Sequence, residues 1–119
     1  MANELTISAG LKFVKGNKSV SFGKSGIQLD VAGDDLTWQT QNVGTSEEAL
    51  NLGDVTTPGY ILIYNEDATN YMSVRSGTGA DNLVKVRPNA IALFECEASA
   101  PYVIANTAGV RIHYCLIEA

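Results

Sequence analysis

Few residues of this chain have the types and spacing that catalysis needs, and His113 with Cys115 is the most suggestive pair. His113 is the one histidine, so any Ser-His-Asp or Cys-His arrangement would have to use it. Residues two apart on a strand point to the same face, which would bring these two side chains together. No acidic residue within local reach in the sequence is placed to orient the imidazole. We therefore expect His113 to be an interface or core-edge residue, and the chain not to be an enzyme.

Candidate metal ligands are equally sparse. One histidine and two cysteines, Cys96 and Cys115, fall short of the four ligands of a structural zinc site, unless an acid supplies the fourth. The acidic pairs at residues 34–35 and 66–67 lack the spaced pattern of a calcium loop, and turns favour aspartate for backbone reasons. The loop 76–82 contains a G-x-G motif without the lysine of a P-loop or a following helix. We expect no metal, no cofactor and free thiols at both cysteines, although a disulfide between Cys96 and Cys115 is geometrically possible if their strands are neighbours.

The elements that position these residues repeat with a period of two, which is typical of β-strands. Residues 19–22, 27–31 and 36–40 alternate between apolar and polar side chains, and each run predicts a half-buried strand. In the third of these runs Trp38 is in phase with Leu36, and we expect it to face inward. The first segment of the chain places five apolar residues on one predicted inner face: Leu5, Ile7, Ala9, Leu11 and Phe13.

Two later runs, residues 60–64 and 90–94, are apolar on both faces, and the run 110–117 is nearly so. A strand covered on both sides lies between packed layers or in a subunit interface. Residues 46–50 are compatible with a helical turn or two, or with an edge strand.

Turn signals recur at intervals of roughly 8–12 residues, as in all-β sandwiches and barrels. The sequence therefore predicts an all-β fold: a single antiparallel β-sandwich or jelly-roll domain over residues 1–119, with about eight to ten short strands and little or no helix.

Composition excludes several classes of protein. The chain has 119 residues and 12.7 kDa, with 45% hydrophobic and 18% charged residues, which indicates one globular domain. It contains no apolar run long enough for a membrane span. Residues 1–4 lack a basic flank and an apolar region, so we expect no signal peptide. Two cysteines suit a reducing cytoplasm. A net charge of -5 argues against a general nucleic-acid binder, and we expect neither nucleic acid nor membrane as a partner.

The charge is unevenly distributed. Residues 1–24 carry four lysines (Lys12, Lys15, Lys18, Lys24) and one acid, whereas residues 25–74 carry eight acids and no lysine or arginine. A solvated acidic surface explains this pattern. So does complementarity, in which the basic segment 1–24 docks on an acidic neighbour or takes part in subunit exchange. With those lysines, the interface candidates include aromatic residues: Tyr60, Tyr64, Tyr71, Tyr102 and His113.

The second half of the chain carries a family resemblance. Residues 51–63 read G-D-V…P-G-Y followed by an apolar strand, and residues 65–71 read N-E-D-A-T-N-Y. An A-L-F strand follows within residues 86–94, and A-N-T-A precedes the strand 110–117. This order over residues 45–119 resembles small virion structural proteins of tailed bacteriophages. The resemblance implies a β-sandwich or jelly-roll module on a head, neck or tail appendage.

The function expected is that of a non-enzymatic phage virion protein that self-assembles, with a trimer as the first guess. It would dock on the major capsid protein as a decoration or cement protein, or on the neck, after assembly in the host cytoplasm. The alternative is a carbohydrate-binding β-sandwich module of a phage fibre or another receptor-binding assembly. A third hypothesis, a cupin-like enzyme, requires several histidines where this chain has one.

Overall fold

The computed structural model describes residues 3–119, and the chain divides into two compact units, residues 3–32 and residues 33–119. The expectation of no signal peptide concerns Met1 and Ala2 as well, which lie outside the described residues. In the part of the chain that the structure describes, no helix is long and apolar enough to cross a membrane.

The first unit is an antiparallel hairpin of β1 (Leu5–Lys15) and β2 (Lys18–Leu29). Gly16 turns the chain between the strands at a φ of 61°, which glycine adopts without strain. The register shifts between Ile7 and Ala9, so the strand is bulged there.

The burial predicted for this first segment is wrong. Leu5 and Ile7 are half-buried, but the rest of β1 is exposed, and so is all of β2 except Leu29. The alternation of apolar residues is real, and it places Leu11, Phe13, Val20 and Phe22 on one face of the hairpin. The side chains of that face are exposed, so the pattern marks an apolar surface of the hairpin rather than a buried one.

The second unit is a sandwich of two antiparallel sheets. The first sheet has the order β3-β10-β5-β8 and the second β4-β9-β6-β7. If the eight strands of this unit are counted from β3 as strand 1 to β10 as strand 8, the first sheet has the order 1-8-3-6 and the second has the order 2-7-4-5. This is the strand arrangement of an eight-stranded jelly roll. The prediction of an all-β sandwich is confirmed. The strands are β3 (Leu36–Val43), β4 (Glu48–Ala49), β5 (Pro58–Asn65), β6 (Met72–Arg75), β7 (Asn82–Val86), β8 (Ile91–Glu95), β9 (Tyr102–Ala105) and β10 (Val110–Glu118).

The core lies between these two sheets and is built from both. The sequence of residues 46–50 is compatible with a helical turn or with an edge strand, and the structure shows the edge strand β4 there. Tyr114 is 1% exposed, and its hydroxyl donates to the carbonyl of Asn51 at 2.7 Å. The buried apolar residues are Val43, Leu50, Val55, Ile61, Ile63, Met72, Val74, Val86, Val103, Ala105, Val110, Ile112, Tyr114 and Leu116.

The inward orientation predicted for Trp38 is wrong, since the side chain is 71% exposed. The other parity of β3 faces the core, and it is mostly polar. Thr37 is buried and donates its hydroxyl to the carbonyl of Leu52, while Gln41 donates to the carbonyl of Ala49 at 3.1 Å. These hydrogen bonds satisfy polar groups under the sheet, while Leu36 and Trp38 lie on the outside of β3 and only Val43, at its end, adds an apolar side chain to the core.

The N-E-D-A-T-N-Y segment is an ordered loop held by its own side chains. Asn65 is fully buried and donates from Nδ2 to the carbonyls of Asn70 (2.9 Å) and Val86 (3.1 Å). The backbone N–H groups of Asn70 (2.6 Å) and Thr69 (2.9 Å) donate to the carboxylate of Asp67, which lowers its pKa. The motif therefore has a structural explanation within this fold.

Candidate functional site

The outer surface of the β3-β10-β5-β8 sheet is the first candidate site. Strand register aligns Trp38, Cys115 and Leu62 in one row across it, and His113, Tyr64 and Ile91 in the next. We call these six residues the Trp38 face. Together with Tyr114 they line a shallow cavity of about 300 Å³. The face is largely apolar, and its large side chains remain accessible in the single chain: Trp38, Leu62, Tyr64 and Ile91.

His113 is held between an indole and a carboxylate on this face. The Nε1–H of Trp38 donates to His113 Nε2, and the two rings are 5.9 Å apart and nearly parallel at 21°. On the other side of the imidazole, Nδ1 lies 3.7 Å from the carboxylate of Glu66. In this arrangement Nε2 acts as an acceptor and Nδ1 carries the proton. The indole occupies the position at which a nucleophile would meet a catalytic imidazole.

The cysteines have thiol rather than thiolate character. Both are free and partly buried, and burial raises the pKa of Cys115 and of Cys96. Reactive cysteines have lowered pKa values, and the pKa of Cys115, the cysteine on the Trp38 face, is shifted in the opposite direction. Among residues 3–119 no three His, Cys, Asp or Glu side chains form a set of metal ligands.

The second candidate site is one side of the hairpin, which we call the hairpin face. It consists of the cross-strand pairs Leu11 with Phe22 and Phe13 with Val20, all of them exposed. Directly opposed residues share a face, so the pair Lys15 with Lys18 bounds this apolar stripe at the turn, and Ala9 with Lys24 bounds it at the other end. Val14 and Lys12 lie on the opposite face of the hairpin.

The residues selected from the sequence fall into three groups. Tyr64 and His113 are cross-strand neighbours on the outer surface of the first sheet, and Tyr60 lies on the same face of β5. Tyr71 and Tyr102 lie elsewhere, near the β4-β9-β6-β7 sheet, where Lys85 Nζ is 4.2 Å above the ring of Tyr71 and Tyr102 pairs with Arg75. Lys12, Lys15, Lys18 and Lys24 all lie in the hairpin.

Sequence reasoning missed three residues that contribute much of the exposed apolar surface of the Trp38 face. The sequence pattern predicts Trp38 in the core, and it identifies Leu62 and Ile91 only as members of two-sided apolar strands. That two-sidedness is the available signal, because Leu62 and Ile91 are the outward members of runs whose inward members lie in the core or pack against it. For Trp38 no such signal exists, since its inward neighbours in β3, Thr37 and Gln39, are polar.

Comparisons with models of known protein families, with curated proteins and with solved structures give no match.

Proposed function

We propose that this chain is a non-enzymatic structural protein of a tailed-bacteriophage virion. It self-assembles, with a trimer as the expected form, and docks on the capsid as a decoration protein or on the neck. Its partners are other copies of itself and the major capsid protein, and assembly takes place in the host cytoplasm. The proposal combines the resemblance of residues 45–119 with the physical properties of the two candidate surfaces.

The observation that carries the proposal is the unburied hairpin. A lone two-stranded hairpin is marginally stable in water, and this one exposes Leu11, Phe13, Val20 and Phe22. Large exposed apolar patches mark sites of protein interaction. A covering neighbour would remove this surface from water and would also protect the long edges of β1 and β2 from uncontrolled pairing.

The jelly-roll architecture is compatible with this role without deciding it. Viral capsid proteins, lectins and cupins all use it, and a fold does not fix a function. What favours assembly over catalysis is the engagement of His113 by Trp38 and Glu66 and the raised pKa of the Cys115 thiol.

Two measurements test the proposal. Light scattering on the purified protein should give a mass of a small multiple of 12.7 kDa, and mass spectrometry of purified phage particles from the source of the sequence should detect the chain. A monomer at every concentration, together with particles that lack the chain, would reject it.

One observation favours a second function, carbohydrate binding. Trp38 and Tyr64 are exposed aromatic side chains on either side of the same shallow cavity, and aromatic rings with a polar handle stack on sugars. Titration with a panel of oligosaccharides, followed by the fluorescence of the single tryptophan, tests this alternative. Saturable quenching that Trp38→Phe reduces would support it, and no response across the panel would exclude it.

A further inference from the structure

We propose that the hairpin face of one copy covers the Trp38 face of a second copy of this chain. The inference rests on the self-assembly proposed above, and it names the two surfaces that meet. Each copy then donates one hairpin and receives another, which generates a closed ring or a two-fold exchange.

Both surfaces are sheet faces that present exposed apolar side chains. On the hairpin, Leu11 is 63% exposed and Phe22 is 68% exposed; on the Trp38 face, Ile91 is 62% exposed. Sheets pack face to face at about 10 Å through interdigitated side chains. Two such faces in one chain are therefore suitable surfaces for this kind of packing between copies.

Charge selects the sandwich of another copy, rather than another hairpin, as the surface that receives the hairpin. Residues 3–32 carry four lysines and two acids, whereas residues 33–119 carry eleven acids and four basic residues. Opposite potentials favour association and like potentials oppose it. A hairpin is consequently attracted to a second sandwich and repelled by a second hairpin.

The spacing of charges along the two faces also agrees. On the hairpin, Lys15 lies six positions after Ala9 in β1, so the Lys15–Lys18 pair and the Ala9–Lys24 pair are about 20 Å apart at the rise of a strand. On the sandwich, Glu95 lies opposite Tyr60, and Glu66 follows six residues after Tyr60, again about 20 Å. Apolar side chains fill the interval on both faces.

Glu66, the acid at one end of this interval on the sandwich, already has charged or polar partners in its own chain. Arg111 Nε lies 3.5 Å from the Glu66 carboxylate, and His113 lies on its other oxygen. An incoming lysine would join this cluster rather than meet an isolated charge. At the other end, Glu95 takes part in no ion pair among the residues that the structure describes.

Matched variants test the two surfaces separately. Leu11→Ser removes apolar area from the hairpin face, and its control is Val14→Ser, on the opposite side of the hairpin and 65% exposed. Ile91→Ser does the same to the Trp38 face, and its control is Leu83→Ser, 68% exposed on the other sheet. All four residues are exposed, so the variants should retain the wild-type fold, which circular dichroism checks. By sedimentation, Leu11→Ser and Ile91→Ser should each raise the dissociation constant by about tenfold or more, and the controls should not.

A mixing experiment identifies which surfaces meet. A Leu11→Ser copy keeps an intact Trp38 face, and an Ile91→Ser copy keeps an intact hairpin face. At a concentration where each variant alone is monomeric, the mixture should form a dimer with one unaltered contact. Two Leu11→Ser copies, or two Ile91→Ser copies, have no such contact to form.

The outcomes separate this inference from the proposed function. If the wild type is oligomeric and Leu11→Ser or Ile91→Ser behaves like its control, or if the mixture stays monomeric, the named contact is wrong while self-assembly stands. If the wild type is monomeric throughout, the named contact and self-assembly both fail, and the search for the chain in phage particles decides the rest of the proposed function. A sugar that quenches Trp38 in the intact oligomer would also overturn the contact, because the face would then be open to a ligand.

Discussion

At the scale of single residues, Gly59 shows how closely β5 lies to the last residues of the sandwich. A Cβ at this position would meet the carbonyl oxygen of Ile117 and the Cα of Ala119, both at 3.0 Å. These are backbone atoms that cannot rotate aside. We expect Gly59→Ala to lower the free energy of unfolding by about 1–3 kcal/mol, as measured by urea denaturation. Gly77→Ala is the control, since nothing lies within 4 Å of its Cβ; equal stabilities of the two variants would contradict this account.

Tyr114 gives the sandwich a pH dependence on the alkaline side. Burial raises the pKa of Tyr114 from 10.0 to about 12. Because the folded pKa is raised, the stabilisation by the neutral hydroxyl is complete below pH 10 and is lost as the pH rises toward about 12. Tyr114→Phe lacks the hydrogen bond to Asn51, and we expect it to cost about 1 kcal/mol at neutral pH.

Thermal melts of both proteins between pH 10 and 12 test this sign. The wild type should lose stability more steeply than Tyr114→Phe, so that the two curves converge. Other tyrosines and the lysines titrate in both proteins and cancel in the difference. Parallel curves would contradict this account, because they would mean that the pKa of Tyr114 does not differ between the folded and unfolded states.

At the scale of elements, the alternation of apolar and polar residues predicts where strands lie, but it does not determine which face of a strand is turned to the core. In the sandwich, β3 follows from a run of period two, and β5, β8 and β10 follow from the more apolar runs, so the sequence locates the strands of the sheet β3-β10-β5-β8. The strands β6, β7 and β9 of the second sheet contain no run that predicts them individually. In β3 the assignment failed because Thr37 and Gln41 find hydrogen-bond partners under the sheet, so polar residues face inward. No local pattern encodes those partners, which come from Leu52 and Ala49.

The hairpin shows the same limit in another form. Its apolar face satisfies the rule for a half-buried strand, and the sequence pattern is identical whether the covering layer belongs to the same chain or to another copy. Burial depends on where that layer is, which periodicity does not report. The Trp38 face was anticipated in part, through the two-sided apolar runs that contain Leu62 and Ile91.

The two units should differ in local stability. Every member of the buried core lies between Val43 and Leu116, so β5 and β10 open with the whole sandwich, whereas β1 and β2 have almost no buried side chains to lose. Under dilution to single copies, we expect the amides of β1 and β2 to exchange with deuterium faster than those of β5 and β10. Hydrogen exchange followed by mass spectrometry measures this directly. Equal protection in dilute solution would mean that the hairpin is stable without a neighbour.

At the scale of the whole molecule, the separation of charge predicts a salt-dependent assembly. Raising salt from about 0.01 M to about 1 M shortens the Debye length from about 30 Å to about 3 Å, which weakens attraction between a basic hairpin and an acidic sandwich. We expect the association rate to fall over this range, as followed by stopped-flow tryptophan fluorescence. At low salt, Lys24→Gln should slow association more than Lys12→Gln, which lies on the opposite side of the hairpin. An association rate that does not change with salt would show that attraction between the charges does not contribute to assembly.

The central claim is that the exposed apolar faces of this chain are covered by other copies of it, and Trp38 reports on that directly. It is the single tryptophan of the chain and is 71% exposed in one copy. Across a dilution series we expect its emission to move to shorter wavelengths as the concentration and the mass rise together. Emission typical of an exposed indole at every concentration, including those at which the protein is an oligomer, would contradict the claim.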